Sequence, residues 1–337
     1  MTDASSPDPF IDEQAFERSV RPDSFDEFVG QEKVRRNLSI YIKAARQRDE
    51  PLEHVLLSGP PGLGKTTLAN IICREMGAEL KPTAGPALVR PGDLAGHLTG
   101  LQEGDVLFID EIHRLSPIIE EYLYSAMEDF QIPIVIDQGV NARSITLTLP
   151  KFTLVGATTR EGLLTGPLRD RFGISEQLSF YPPEELLRIV RRSAQILDIP
   201  VDDGPAKDIA RRARGTPRIV NRYLKRIRDV AQVNGEGIIT TEIVAEGMHM
   251  LGVDHLGLVE KDRRIMRAII DHGGGPVGVK TIAVTVSEEE ETVEEVYEPY
   301  LIQQGFVTKT SRGRVVTAKA YEHLEIEPPP DGQMSLF

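Results

Sequence analysis

The chain has 337 residues, a formal net charge of −13, 40 % hydrophobic residues and one cysteine. This length predicts two to three domains with cores of their own, and the acidic total argues against a surface that binds nucleic acid throughout. There is no run of eighteen apolar residues to span a membrane. One cysteine and a polar start without a signal-peptide pattern predict a cytoplasmic protein without membrane contact.

After a flexible tail expected over residues 1–20, the first predicted domain (21–181) alternates strands with helices. Its first helix is predicted from Glu32 to about Arg48. The strand candidates follow in the order 54–58, 79–83, 106–110, 152–157 and 175–179. Alternation of this kind indicates an open parallel sheet with helices on both faces.

The first strand candidate leads into Gly-Pro-Pro-Gly-Leu-Gly-Lys-Thr at residues 59–66. This is the G-x-x-x-x-G-K-[ST] loop, in which backbone N–H groups and a helix N-terminus face a polyphosphate. Apolar residues at helical spacing follow the loop, as the motif requires. We therefore predict that Lys65 reaches the β and γ phosphates of ATP and that the Thr66 hydroxyl binds Mg²⁺.

The third strand candidate is apolar from Val106 to Ile109 and ends in two acids, Asp110 and Glu111. An apolar strand suits a parallel sheet that is buried on both faces. Asp110 is placed to hold Mg²⁺ through water, and Glu111 to polarise the attacking water. Paired acids after a strand are otherwise common in solvated turns, but the phosphate loop ahead of them favours ATP hydrolysis.

Two alternating segments within this domain, 132–137 and 144–149, predict an inserted β-hairpin around a loose tip at 138–142. Such a hairpin either packs on its own domain or offers an apolar side to a partner. That side would be formed by Ile134, Ile136, Ile145 and Leu147.

Tyr181-Pro182-Pro183 marks a domain boundary. Helical periods follow it, which predicts a small all-helical domain over 182–254. Nine basic residues lie between Lys207 and Arg228, against one acid, Asp208. This run is either a solvated face with one or two functional arginines, or a contact for phosphate or for another subunit.

The pattern over residues 255–326 is three helices and a two-stranded ribbon, 305–310 and 313–317, which predicts a winged helix. Residues 327–337 are expected to form a flexible tail. The ribbon tip has three cations that favour contact with DNA phosphates, Lys309, Arg312 and Arg314. Six glutamates between Ser287 and Glu295 argue against DNA contact on their side.

Four further strings complete the pattern: residues 110–115, 156–160, 167–173 and 298–301. With the loop, the hairpin and the wing, they resemble AAA+ ATPases and, within these, the RuvB family of bacterial Holliday-junction branch-migration motors, from about Arg21 to Leu324. The resemblance implies an α/β AAA+ P-loop domain with an inserted β-hairpin, a small all-α lid domain and a C-terminal winged-helix domain. It also implies a homo-hexameric ring that acts on the duplex arms of a Holliday junction with RuvA, and with RuvC in the resolving complex.

The resemblance assigns roles to residues around ATP and Mg²⁺. The first sensor of the γ-phosphate matches Thr159 and the second matches Arg218. Arg171 matches an arginine finger supplied to a neighbouring subunit; a local salt bridge of Arg171 with Asp170 or Glu176, or Arg169 as the finger, remain alternatives. The other nucleotide contacts would be Val20, Arg21, Gly62, Leu63, Gly64, Thr67 and Tyr181 on one subunit, with Glu128, Asp129 and Phe130 at the shared site.

The same resemblance makes the hairpin the element that docks on RuvA and the wing the element that faces DNA. Two other functions stay open at this point: a non-motor AAA+ switch such as a clamp-loader-like protein, and a transcription-type module in which the winged helix reads sequence. Direct reading of bases needs Arg, Asn or Gln on a recognition helix, and the candidate for that helix, Ser287 to Gln303, is mostly acidic, which disfavours the second. The terminal pentapeptide, residues 333–337, resembles short peptides that bind the bacterial sliding clamp.

Overall fold

The computed structural model describes residues 16–135 and 144–328, which form two compact units divided between Tyr181 and Pro182. The first unit contains the phosphate loop and the second contains the two C-terminal domains. Within these described ranges, no helix is long and apolar enough to cross a membrane.

The first unit is an α/β structure, as predicted. Its helices are α1 Glu32–Arg48, α2 Lys65–Met76, α3 Pro91–Thr99, α4 Pro117–Glu128 and α5 Gly166–Arg169. Its strands are β1 Val55–Ser58, β2 Leu80–Ala84, β3 Val106–Asp110, β4 Gln131–Val135, β5 Ser144–Thr148, β6 Thr153–Thr158 and β7 Ile174–Gln177.

Five of these strands form one parallel sheet in the order β2-β3-β6-β1-β7. The central strands β1 and β6 are buried along their whole length because helices cover both faces of the sheet. Parallel strands end at the same edge, so the phosphate loop after β1 and the acids after β3 emerge at that edge on the two sides of β6. The strand order therefore brings together motifs that lie about fifty residues apart in sequence.

The second unit begins with four helices: α6 Pro183–Ile196, α7 Asp203–Arg212, α8 Pro217–Asn234 and α9 Thr241–Met250. They confirm the predicted all-helical domain. The winged helix follows, with α10 Glu260–Asp271, α11 Val279–Val286, α12 Glu290–Thr292, α13 Glu298–Gln303, β8 Val307–Thr310, β9 Gly313–Val316 and α14 Ala318–His323.

The third helix predicted for the winged helix is not continuous, because a π-helical turn at Val293–Tyr297 separates α12 from α13. Pro299, at the start of α13, has no N–H to donate to the carbonyl of Glu295 four residues earlier. The chain therefore widens its turn just before the proline, as helices do at single π turns.

Candidate functional site

The phosphate loop connects β1 to α2 through a backbone that glycine alone adopts without strain. Gly59 and Gly64 have φ angles of 135° and 106°, and a Cβ on Gly59 would lie 2.5 Å from the carbonyl oxygen of Leu178. The buried Lys65 ammonium donates to the carbonyls of Gly59 at 2.6 Å and Pro60 at 3.0 Å. The loop thus holds a cation beside the N-terminus of α2, where a polyphosphate is favoured.

The acids after β3 occupy a turn with a special backbone. Asp110 Oδ1 accepts from the backbone N–H of Glu111 at 3.0 Å. Glu111 has a positive φ of 48°, which non-glycine residues adopt rarely and often at functional sites. Its carboxylate lies 3.1 Å from Arg114 and is about half-exposed, so it is available to a water molecule in front of the sheet.

The end of β6 connects to that same turn. The Thr158 hydroxyl lies 3.0 Å from Nδ1 of His113 and accepts from the backbone N–H of Arg160 at 3.0 Å. Thr159, the predicted first sensor, follows Thr158 directly. His113, to which sequence reasoning gave no role, therefore links the acidic turn to the sensor strand, and no sequence pattern pointed to this contact.

A cavity of about 780 Å³ is lined by residues of α2, β2 and β3. Its lining brings together three predicted site residues, Arg21, Thr66 and Asp110, and adds Arg18 and Arg74. Ligand sites usually have volumes of roughly 300–1,000 Å³, so the cavity is large enough for a nucleotide phosphate chain with its ion. Hydroxyl and carboxylate oxygens are ligands that Mg²⁺ accepts. Arginines suit phosphate, but Glu17 and Asp23 line the cavity as well, and Asp23 pairs with Arg74 at 2.7 Å.

One predicted base-binding residue contacts the phosphate loop. Tyr181 is buried and donates its hydroxyl to the carbonyl of Leu63 at 3.2 Å. Val20 is buried as well, and the Phe28 ring lies against Gly64. The structure therefore places Tyr181 on the phosphate loop itself, where it fixes the loop conformation.

Arg171 is held in a cluster formed by α4 and α5. Its guanidinium donates to the Pro167 carbonyl at 2.8 Å and to Glu128 at 2.9 Å, and it lies 4.6 Å from the ring centroid of Tyr124. The Tyr124 hydroxyl in turn donates to Glu120 at 2.9 Å. The ion pair of Arg171 is with Glu128, which sequence reasoning had placed beside it at the shared site.

Of the other two residues predicted at that site, Asp129 ends α4, and Phe130 packs edge-on against Phe152 at a centroid distance of 5.8 Å. Beside them, His54 Nδ1 accepts from Leu154 N–H at 2.9 Å, and its Nε2 lies 3.1 Å from the Met127 carbonyl. Burial lowers the pKa of His54 below its ordinary 6.5, although the bond to Met127 raises it. A neutral His54 therefore joins the end of α4 to the sensor strand.

The hairpin β4–β5 divides into a buried base and an exposed upper part. Ile132 pairs with Leu147, and both contact the main core of the unit. Ile145, opposite Ile134, is 49 % exposed. Ile136 and the side chain of Ile134 lie outside the described residues. Of the predicted apolar side, Leu147 thus takes part in core packing and Ile145 faces solvent.

The three wing cations have different surroundings. Lys309 is half-exposed and lies 3.4 Å from Glu294, and Arg312 is exposed at the tip. Arg314 is 8 % exposed and donates to Glu298 at 2.8 and 2.9 Å and to Glu294 at 2.6 Å. Although its own burial raises the pKa of Glu294, hydrogen bonds and charge from Arg314 and Lys309 bring it below the ordinary value.

The expectation that Arg314 faces DNA with the other two cations therefore needs correction for this conformation. Its charge is satisfied inside the winged helix, where it ties β9 to α13 and the π turn. A contact to phosphate would require it to leave two carboxylates, one of them buried. Sequence could not show this because the partners lie 16 and 20 residues away.

Arg218, the predicted second sensor, is the second residue of α8 in the second unit. It follows a turn in which Arg214 and Gly215 both have positive φ angles, 57° and 69°. Arg214 was predicted as one member of a basic run, but it is buried and ion-paired with Asp262 at 3.0 Å.

Three family models match consecutive parts of the chain. The Holliday junction DNA helicase RuvB P-loop domain matches residues 20–178, the RuvB AAA lid domain matches 181–254, and the RuvB C-terminal winged helix domain matches 255–325.

Solved structures agree with these matches. The structure of the Thermotoga maritima RuvB Holliday junction branch migration motor superposes with a TM-score of 0.86 at 52 % identity, over 92 % of this chain and 100 % of that chain. Two point-mutant structures of that protein have TM-scores of 0.86 and 0.85 at 51 % identity, each over 92 % of this chain and 99 % of that chain.

Proposed function

The chain belongs to the RuvB family, and on that premise we propose that it is an ATP-driven DNA translocase that pumps duplex DNA to drive Holliday-junction branch migration together with RuvA. The observation that carries the proposal is the cavity beside the phosphate loop in which Arg21, Thr66 and Asp110 meet. A hydroxyl and a strand-end carboxylate that line one cavity, next in sequence to the buried lysine of the phosphate loop, suit phosphoryl transfer to water.

The loop residues Gly62, Leu63, Gly64 and Thr67 hold the phosphates through their backbone and the start of α2. Lys65 exchanges its carbonyl contacts for the β and γ phosphates. Thr66 and Asp110 hold Mg²⁺, which when bound neutralises charge on the phosphate oxygens. Glu111 orients the attacking water and accepts its proton.

Other residues surround this centre. Val20, Arg21 and Tyr181 hold the base and sugar, while Thr159 and Arg218 sense the γ-phosphate. Arg171 serves the neighbouring subunit of a homo-hexameric ring, with Glu128, Asp129 and Phe130 at the shared site. A finger supplied in trans makes hydrolysis depend on ring assembly.

On the DNA side, Lys309 and Arg312 contact backbone phosphates of a junction arm without reading sequence. Arg314 supports the ribbon from within and keeps it in position against α13. The exposed end of the hairpin around Ile145 docks on RuvA. RuvC joins in the resolving complex, and the tail 333–337, which lies outside the described residues, is proposed as a sliding-clamp peptide.

We further propose that the ATPase domain comprises residues 21–181, the lid 182–254 and the winged helix 255–326, with tails at 1–20 and 327–337. These divisions follow the change from sheet to helices at Tyr181 and the segment between the end of α9 and the start of α10. The protein acts on chromosomal DNA in recombination and repair, which places it in the cytoplasm.

The test is conversion of a synthetic four-way junction into duplex arms by the purified protein with RuvA and ATP. We expect ATP-dependent conversion, and Glu111→Gln should bind ATP while hydrolysing it at least ~10²-fold more slowly, because water activation is lost. Hydrolysis without conversion would favour the non-motor switch. Near-normal turnover by Glu111→Gln would remove the role given to Glu111.

A further inference from the structure

In the second unit, a buried ion pair joins the helical domain to the winged helix. The two terminal nitrogens of Arg214 donate to the two carboxylate oxygens of Asp262 at 3.0 and 3.2 Å. Asp262 is 0 % exposed and Arg214 is buried. Mutation of one partner alone would leave an uncompensated buried charge between the two domains.

On the helical side, a short hydrogen-bonded turn connects Arg214 to Arg218, the predicted second sensor. The Thr216 hydroxyl donates to the Arg214 carbonyl at 3.1 Å, Thr216 is the N-cap of α8, and Pro217 is the first residue of that helix. Arg218 follows immediately. Because the intervening turn is short, left-handed and hydrogen-bonded, a displacement of Arg218 must move Arg214 as well.

On the winged-helix side, the guanidinium of Arg214 contacts two helices. Asp262 accepts from the backbone N–H of Val259 at 2.8 Å and thereby caps α10. The Tyr300 ring of α13 lies 4.5 Å from the guanidinium carbon, and its hydroxyl donates to the Leu256 carbonyl at 2.7 Å. Burial raises the pKa of Tyr300 to about 12, so this donor keeps its proton.

The same helix continues the contacts to the wing. Glu298, two residues before Tyr300, receives both hydrogen bonds from Arg314 of β9. Two buried arginine–carboxylate pairs, Arg214 with Asp262 and Arg314 with Glu298, thus belong to one chain of contacts. This chain of contacts leads from the turn before Arg218, through α10 and α13, to the ribbon that carries Lys309 and Arg312.

The segment between α9 and α10, which connects the two domains, is held by hydrogen bonds to both of them. Arg263 donates to Asp254 at 3.2 Å and to the Gly252 carbonyl at 3.2 Å. His323 lies 2.9 Å from Asp254. A Cβ on Gly257 would come within 2.4 Å of the Arg212 carbonyl oxygen, so that turn is pressed onto the helical domain.

We propose that Arg214 is a positioning residue that couples nucleotide state to DNA contact: through Asp262 and Tyr300 it makes the lid and the winged helix move as one body, so that a change at Arg218 displaces the wing. This inference rests on the proposed function and adds the residues that transmit its force.

The measurement uses the full chain with Cys73→Ser and nitroxide labels at exposed positions, Val233→Cys on α8 and Val284→Cys on α11. Pulsed electron spin resonance gives the distance distribution between the labels. We expect one narrow distribution with ADP and with a non-hydrolysable ATP analogue. Arg214→Met should broaden it, and Arg214→Met with Asp262→Leu should narrow it again, because apolar residues can replace a buried ion pair at little cost.

A second readout is the stimulation of ATP hydrolysis by duplex DNA. Arg214→Met should bind ATP but lose DNA stimulation by at least ~5-fold, the low end of allosteric couplings, and the double variant should regain it. Arg212→Met is the matched control, because Arg212 pairs with Asp208 on its own helix, and it should keep stimulation.

A distribution as narrow in Arg214→Met as in the parent chain would overturn the proposal, as would unchanged DNA stimulation despite a broad distribution. If Arg214→Met does not fold, Arg214→Lys, which keeps the charge but not the bidentate fork, is measured with the same expectation. Absence of DNA stimulation in the parent chain would count against the proposed function. The distance distributions would still decide whether Arg214 holds the lid and the winged helix together as one body.

Discussion

Replacing Arg171 with alanine should abolish ATP hydrolysis in the ring while leaving the phosphate loop of the same subunit intact. In the isolated chain Arg171 is held by Glu128, which is 64 % exposed, by one carbonyl and by the Tyr124 ring. An exposed ion pair of this kind contributes about 0–1 kcal/mol. An arginine finger contributes 10³–10⁵ in rate, or about 4–7 kcal/mol, so Arg171 can leave Glu128 for a neighbour's phosphate with a large net gain.

The assay mixes two inactive proteins on DNA, Arg171→Ala with an intact loop and Lys65→Ala with an intact finger. In randomly mixed rings at equal amounts, about a quarter of the sites combine an intact Lys65 with an intact Arg171 from the next subunit, so roughly that share of ATPase should return if the sites act independently. Arg169→Ala, at an exposed neighbouring position, is the control and should stay active. Mixed rings that form and remain inactive would refute the trans assignment.

Three further substitutions and one change of pH have defined outcomes. Arg312→Ala should weaken DNA binding about equally on unrelated sequences and reduce the salt slope by roughly one, whereas Arg314→Met should destabilise the winged helix by about 3–5 kcal/mol, because Glu298 loses its buried partner. Ile145→Asp should abolish stimulation by RuvA but leave basal ATPase and melting temperature unchanged. For His54, the unfolded state binds the proton first, so the free energy of unfolding should fall as pH drops below 6.5, by about 1.4 kcal/mol per pH unit until the lowered folded pKa is reached.

Salt titrations of DNA binding, ATPase assays with RuvA, and stability measurements at several pH values check these four outcomes. Equal salt slopes for Arg312→Ala and the parent chain would count against a phosphate contact, and an unchanged melting temperature for Arg314→Met would show that its ion pairs are not structural. Leu147→Asp is the control for the hairpin, since it should lower stability through the core. His54→Asn should flatten the acid branch of the stability curve; an identical branch would assign it to other groups.

The sequence by itself determined the phosphate loop, the acidic strand end, the alternation of strands and helices, and the three-domain order of the RuvB family. These features are local, because Lys65 and Thr66 act through a backbone fixed within eight residues, and helical or strand periods are set by near neighbours. The predicted strands β1, β3 and β6 accordingly agree with the structure to within one residue at each end.

Only the tertiary structure decided which side chains meet. Arg214 and Asp262 are 48 residues apart, and Arg314 reaches Glu298 across the winged helix. From sequence Arg214 was one member of a basic run and Arg314 a DNA-facing cation, because a charge pattern records residue types and not partners. Whether an arginine is exposed to phosphate or buried against a carboxylate depends on how separate helices and strands pack, and that packing brings residues together without leaving a periodic signal in the chain.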